Sequence, residues 1–176
     1  MTLQPDTVSL VLAALHAPAL REIVAHWRDV RGDRLMPAWN DIDPAAIARH
    51  LPIVWAWKYD RAANSFTGRL SGETINFIFG KSLRNAKMAE FFAGWNYDTI
   101  FERHRRVVCD PCIVIGRGLV FIHAGRYGTG ERVILPLASN GVDGDGIIGA
   151  TIYELSSEDS APLPSEMVEN VSYYPL

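Results

Sequence analysis

Residues 66–92, FTGRLSGETINFIFGKSLRNAKMAEFF, constrain the fold of this chain more than any other stretch. They open with strand alternation, Phe66, Gly68 and Leu70 on one face and Thr67, Arg69 and Ser71 on the other. The alternation breaks at Ser71-Gly72, and two short helical turns follow, separated by Gly80. Ile75, Ile78 and Phe79 share a stripe in the first turn, and Met88, Phe91 and Phe92 share one in the second. A strand running into short, apolar, glycine-punctuated helices walls a hollow more readily than it builds a solid bundle. Covered by a later strand meander, that wall becomes a sheet with a small helical glove, which is a binding module by shape.

The N-terminal part must pack against something. Residues 7–30 hold two helical patterns, the first with Val8, Val11, Leu12 and Leu15 on one stripe. Pro18 suits the first turn of the second helix, where its missing N–H is not needed. Leu20, Ile23, Val24, Trp27 and Val30 then follow i, i+3, i+4, i+7 spacing, and Gly32 is placed to end the helix. The other face shows Arg21, Glu22, Arg28 and Asp29. Such a helix covers its own domain or meets a partner's copy, and Leu20, Ile23 and Trp27 are the candidate interface residues.

After a loop at 34–40, with Pro37 and Trp39 extended, Asp43-Pro44 is a helix start that Pro52 keeps short. Ile53, Trp55, Trp57 and Tyr59 alternate with Val54, Ala56 and Lys58, a strand apolar on both sides and therefore central. Asp60 to Ser65 reads as a hairpin loop. From Thr99 to Cys109 a helix places Ile100, Phe101, His104, Val107 and Val108 on one face, with Arg103, Arg105 and Arg106 on a solvated one. Strand-like runs at 112–122, 131–138 and 147–155 complete the domain, with Gly/Asn/Asp-rich connections at 124–130 and 139–146. Gly116 and Gly118 suggest a bulge or a close backbone approach, and Pro136 an edge or an irregularity. Residues 156–176 read as an acidic tail that Val171, Tyr173, Tyr174 and Leu176 are able to dock.

A chain of 176 residues with 48% hydrophobic side chains buries about 70% of its unfolded surface and needs neither metal nor disulfide to fold. A net charge of −3 offers no basic field for nucleic acid. No apolar run approaches the roughly 20 residues of a membrane span. The start lacks the pattern of an export signal and the chain has two cysteines, so the expectation is a soluble, cytoplasmic protein.

The element order, with W27RDVRGDRLMP37, D43P44, L51P52, the F66…G72 strand with Gly80, and R132VILPL137 before I147IGATIYE154, resembles the PAS_5 family, small proteins known chiefly from alphaproteobacteria. Trp39 stands where that pattern commonly carries an arginine. The resemblance implies an α+β fold: a PAS-like five-stranded antiparallel sheet with short helices on one face. It divides the chain into an N-terminal helical extension (1–42), packing on the domain or on a dimer partner, a PAS-like domain (43–155) and a tail (156–176). It also implies a stand-alone sensory or regulatory module acting through a small-molecule ligand, a homodimer or a protein signalling partner, and no enzyme.

Pocket candidates are Trp57, Phe77, Phe79, Phe92, Phe101, His104 and Phe121, with Trp55 and Trp95 as further aromatics. No cofactor is required by the sequence. Haem-binding PAS domains take a proximal histidine from a helix in this part of the fold, which makes His104 a haem or redox candidate. The plainer reading is a core histidine satisfied by a backbone carbonyl. Cys109-Asp-Pro-Cys112 is a lone CxxC with its first thiol at a helix C-terminus, the wrong end for a reactive thiolate. With His104, Cys109 and Cys112 are weak metal candidates, and structural cysteines are the simpler reading. A flavin photosensor would need a cysteine where Asn85-Ala86-Lys87-Met88 has alanine. A small enzyme with an α+β pocket is a third reading, although Ser82, Asp98 and His104 have no triad spacing.

Overall fold

The computed structural model describes residues 6–92, 94–123, 126–156 and 168–176, without the side chains of Trp95, Ile122, His123 and Arg126. Helices α1 (Thr7–Ala14) and α2 (Pro18–Arg31) precede β1 (Val54–Asp60) and β2 (Ser65–Ser71). Helices α3 (Glu73–Phe79) and α4 (Gly94–Cys109) follow, then β3 (Cys112–His123), β4 (Arg126–Leu137), β5 (Gly146–Leu155) and β6 (Glu169–Pro175). The strands form one antiparallel sheet in the order β2-β1-β5-β4-β3-β6.

The sheet has six strands where five were expected. The added strand comes from the expected tail: β6 pairs with β3 from Cys112↔Pro175 to Gly118↔Glu169. Its alternation is short but real. Val171 and Tyr173 pack on one face of the sheet, and Tyr174 and Leu176 on the other.

Helices cover both faces, not one. On the first face α1 and α2 pack over Ile113, Ile115, Val133, Leu135 and Ile148. On the second, α3 and α4 pack over Trp55, Trp57, Val114, Ile134 and Ile147. Successive strand residues point to opposite faces, so both sets come from the same strands. β1 is accordingly central and buried on both sides, with Lys58 left in solvent.

This corrects the partner-interface reading of α2. Leu20, Ile23 and Trp27 are at most 2% exposed in the single chain, because the stripe closes on its own sheet. The Trp27 indole Nε1 donates to the Pro136 carbonyl at 2.9 Å inside that core. The α1–α2 junction is held by a side chain from the sheet. Glu131 of β4 accepts the backbone N–H of His16 at 3.1 Å and of Ala17 at 2.8 Å, and the Arg117 Nε donates to it at 2.7 Å. Arg117 also donates to the Ala14 carbonyl. Ala17 has no capping side chain of its own, so Glu131 supplies the acceptor that the start of α2 lacks. Burial alone would raise the Glu131 pKa; the bonds from Ala17, His16 and Arg117 outweigh it and hold the carboxyl below its ordinary value.

Smaller departures have local causes. Asp43 does accept the Ala45 N–H at 2.9 Å, but the segment turns and then winds as a 3-10 helix, Ala48–Ile53, with Pro52 inside and unable to donate. Trp39 begins a 3-10 turn, Trp39–Asp41, instead of lying extended, and the Arg69 guanidinium sits 4.8 Å from its ring. α4 begins at Gly94, ahead of the start expected at Thr99. β4 begins at Arg126, so most of the expected 124–130 loop is strand. Gly118 shows the expected close backbone approach: its φ is +100° and an added Cβ would lie 2.6 Å from the Val168 carbonyl oxygen. The bulge itself falls at Val120, where the register shifts between Leu119 and Phe121. Pro136 is in an interior strand, paired with Ile147 of β5 and beyond the last β3 pair at Val114↔Ile134, so it is neither at a sheet edge nor between two paired strands.

Trp27→Ala should lower unfolding stability by about 3–5 kcal/mol in urea denaturation; a loss under about 1 kcal/mol would mean α2 is not seated on the sheet. Glu131→Gln should cost roughly 1–3 kcal/mol at neutral pH. Because the folded pKa is depressed, that difference is present in full above the ordinary value of 4.5 and shrinks as pH falls through the folded value. A difference constant from about pH 6 to about pH 3 would remove the carboxylate from this role.

Candidate functional site

Between α4 and the second face of the sheet lies a cavity of about 240 Å³. Phe79, Phe92, Ile100, Leu119 and Phe121 form its apolar wall, while Asn96 and Thr99 present polar groups from α4. Phe79 is the hub of that wall, with its ring edge-to-face against Phe91, Phe92 and Phe121 at centroid distances of 5.4, 5.6 and 5.5 Å. α3 brings it there, ending at Gly80, while Tyr153 of β5 ties the start of α3 to the sheet by donating to the Thr74 carbonyl at 2.7 Å. A second space of about 20 Å³ shares Phe79, Phe92, Ile100, Phe121 and Arg132 with the first and reaches Trp55, Trp57 and His104.

Among the described residues three charged side chains line the larger cavity: Arg103 of α4, Arg132 of β4 and Glu169 of β6. Arg103 Nη1 donates to Glu169 Oε2 at 2.6 Å, and Arg132 Nε lies 2.9 Å from Glu169 Oε1. Their side chains are 9%, 7% and 12% exposed, so the group is nearly desolvated. Arg132 also donates to the Val120 carbonyl, and its guanidinium stands 5.2 Å from the Phe121 ring centroid. Burial pulls the Arg132 pKa below the ordinary arginine value, Glu169 opposes this, and the guanidinium stays protonated. The approach of Glu169 depends on Gly116, where an added Cβ would lie 2.1 Å from Glu169 Oε1.

A profile of the PAS_5 family, described as PAS domain, matches residues 15–152. This chain belongs to the PAS_5 family. No curated protein and no solved structure matches it. Membership makes this a PAS domain, and PAS domains are in general sensory or regulatory modules, not catalysts. The match includes Arg103 and Arg132 and stops short of Glu169, so β6 and its carboxylate lie beyond the matched part of the PAS domain.

The pocket candidates divide. Phe79, Phe92 and Phe121 line both spaces, and Trp57 and His104 line the smaller one. Phe101 packs in the core against Phe66 and Tyr97, at ring distances of 5.7 and 5.6 Å, and lines neither space. Phe77 is 69% exposed; Ile75 and Ile78 take the buried side of α3 and turn it outward, so its assignment to the pocket is corrected. The Trp95 side chain is outside the described residues. Arg103 was expected on a solvated face and instead points inward. Arg105 does pair with exposed Glu102 at 2.9 Å, and the Arg106 guanidinium lies 4.0 Å from the Tyr173 ring centroid.

His104 is 2% exposed, stacked on Trp55 at 5.5 Å and edge-on to Phe66 at 5.9 Å. Its Nδ1–H donates to the Ile100 carbonyl at 2.7 Å. Burial, helped by Arg103, lowers its pKa to about 3, so the ring is neutral. A neutral ring with Nδ1 engaged is a suitable metal tautomer. The space at the ring, about 20 Å³, is nevertheless far too small for a haem, and the stacked Trp55 and Phe66 would have to move. The haem reading does not fit. Cys109 and Cys112 are free thiols, and burial pushes Cys112 up to about 11, away from thiolate chemistry. Among the described residues no group of three or more His, Cys, Asp and Glu side chains is arranged to hold a metal. Ser82 faces Ser71 at 3.3 Å and Asp98 is exposed, so neither forms a triad with buried His104. No helix among the described residues is long and apolar enough to cross a membrane.

Sequence reasoning missed Arg132 and Glu169. Arg132 left a signal, since it shares strand parity with Ile134 and therefore faces an apolar side. Glu169 left none, because it meets Arg132 through the pairing of β6 with β3.

His104 sets a pH response. Its folded pKa is below the ordinary 6.5, so its stabilising contribution is complete above that value and is lost as pH falls towards about 3. Unfolding stability should therefore start to decline near pH 6.5, at no more than about 1.4 kcal/mol per pH unit. His104→Gln should remove the part of the slope above the carboxylate range; an identical slope in denaturation titrations of the variant would contradict this.

Proposed function

We propose that this PAS domain is a cytoplasmic sensory module that binds a small molecule in the cavity under α4. It passes the signal to a protein partner or a second copy of itself. The observation that carries the reading is the cavity of about 240 Å³, walled by aromatic rings and holding three nearly buried charges. Ligand sites are mostly apolar with a few convergent polar groups, and this one has that composition. An apolar cavity of about 150 Å³ already admits benzene, so a one-ring molecule fits the space. The output route is supported by α3, which carries Phe79 into the cavity and Phe77 out into solvent on one short helix. A shift of α3 on binding would alter the exposed surface without disturbing the core under α2.

Native mass spectrometry of the freshly purified chain tests the reading. A small molecule should stay bound under gentle ionisation and be released on denaturation. Ile100→Trp, which fills the cavity from α4, should abolish that adduct at a similar melting temperature. An unliganded chain whose melting temperature is unmoved by a broad set of one-ring compounds would end the reading.

A further inference from the structure

The cavity has a charge imbalance. Arg103 and Arg132 contribute two positive charges and Glu169 one negative, leaving one net positive charge among nearly buried groups. Among the described residues Glu169 is the one acidic residue in the lining, and His104 beside the smaller space adds no charge because it is neutral. Uncompensated buried charge is costly, and an anion in the cavity removes that cost. The donors present are of the right kind, since guanidinium groups bind carboxylates with short, directional, charge-assisted bonds.

From this lining we infer that the ligand is a small organic monoanion, a carboxylate on an aromatic or branched apolar body, with its acidic group against Arg103 and Arg132 and its body against Phe79, Phe92 and Phe121. The inference rests on the ligand-binding function proposed above and narrows it to one chemical class. A dianion would leave an excess negative charge beside Glu169. A cation meets two guanidinium groups, and a neutral molecule leaves the net charge unanswered. Inorganic phosphate supplies the charge but has nothing to place against the aromatic wall. A nucleotide exceeds about 240 Å³.

Calorimetric titration of the full chain with benzoate and 3-methylbutanoate, each beside its own amide, reads the charge directly. Acid and amide match in shape, so the comparison is made on the unaltered protein and needs no variant. At least one acid should bind about tenfold or more tightly than its amide, with phosphate showing no heat of binding. Arg103→Met should weaken the acid by about tenfold or more and leave the amide unchanged. Amides binding as tightly as the acids, or a co-purified molecule identified as neutral or cationic, would overturn the inference and leave the sensory reading standing. If none of the four compounds binds and nothing co-purifies, both readings fall.

Discussion

Two adjacent residues of β4 hold the two ends of the chain to the sheet from opposite faces. Glu131 points to the first face and accepts the backbone N–H groups of His16 and Ala17, where α1 gives way to α2. Arg132 points to the second face and meets Glu169 at the start of β6. Their β3 partners complete the arrangement: Arg117, opposite Glu131, neutralises it, and Gly116, opposite Arg132, leaves room for the Glu169 carboxylate. The pleat places these neighbours on different sides of the sheet. One strand thus anchors the N-terminal helices and the C-terminal strand while its apolar neighbours Val133 and Ile134 feed two separate cores.

The two faces are filled differently. The α1–α2 face is closed by branched aliphatics and by Trp27, whose indole finds the Pro136 carbonyl. The α3–α4 face is filled largely by rings. The space between these rings lies beside the Arg103–Glu169–Arg132 group. Replacing a buried ion pair by apolar residues is often neutral or stabilising, so a group of three is weak as a stability device. Its place beside a hollow fits the anion recognition proposed above.

The sheet core, the amphipathic α2, the helical glove after residue 72 and the close backbone approach at Gly118 were legible because each is a local, periodic or conformational signal. The sixth strand was not. Val171, Tyr173, Tyr174 and Leu176 gave enough apolar character to dock, but pairing with β3 is a long-range event that no local period encodes. The short segment before β1 was misread as an α-helix because the Asp43 cap is genuine and the competing effect of Pro52 acts inside the element. In the site, Phe79, Phe92 and Phe121 were identifiable as aromatic wall. Phe77 was not distinguishable from them by composition, and only its position opposite Ile75 and Ile78 on α3 turns it to solvent.

What the sequence by itself determined is the local order: which stretches alternate, which wind, where they break, and through those spacings the PAS_5 resemblance. What only the tertiary structure decided is who meets whom. It sent the α2 stripe onto its own sheet, turned Arg103 inward, and brought Arg132 together with a carboxylate 37 residues further along the chain. The physical reason is that periodicity records which face of an element shuns water. The choice among surfaces able to cover that face, and the pairing of buried charges across it, depends on contacts between segments far apart in the chain.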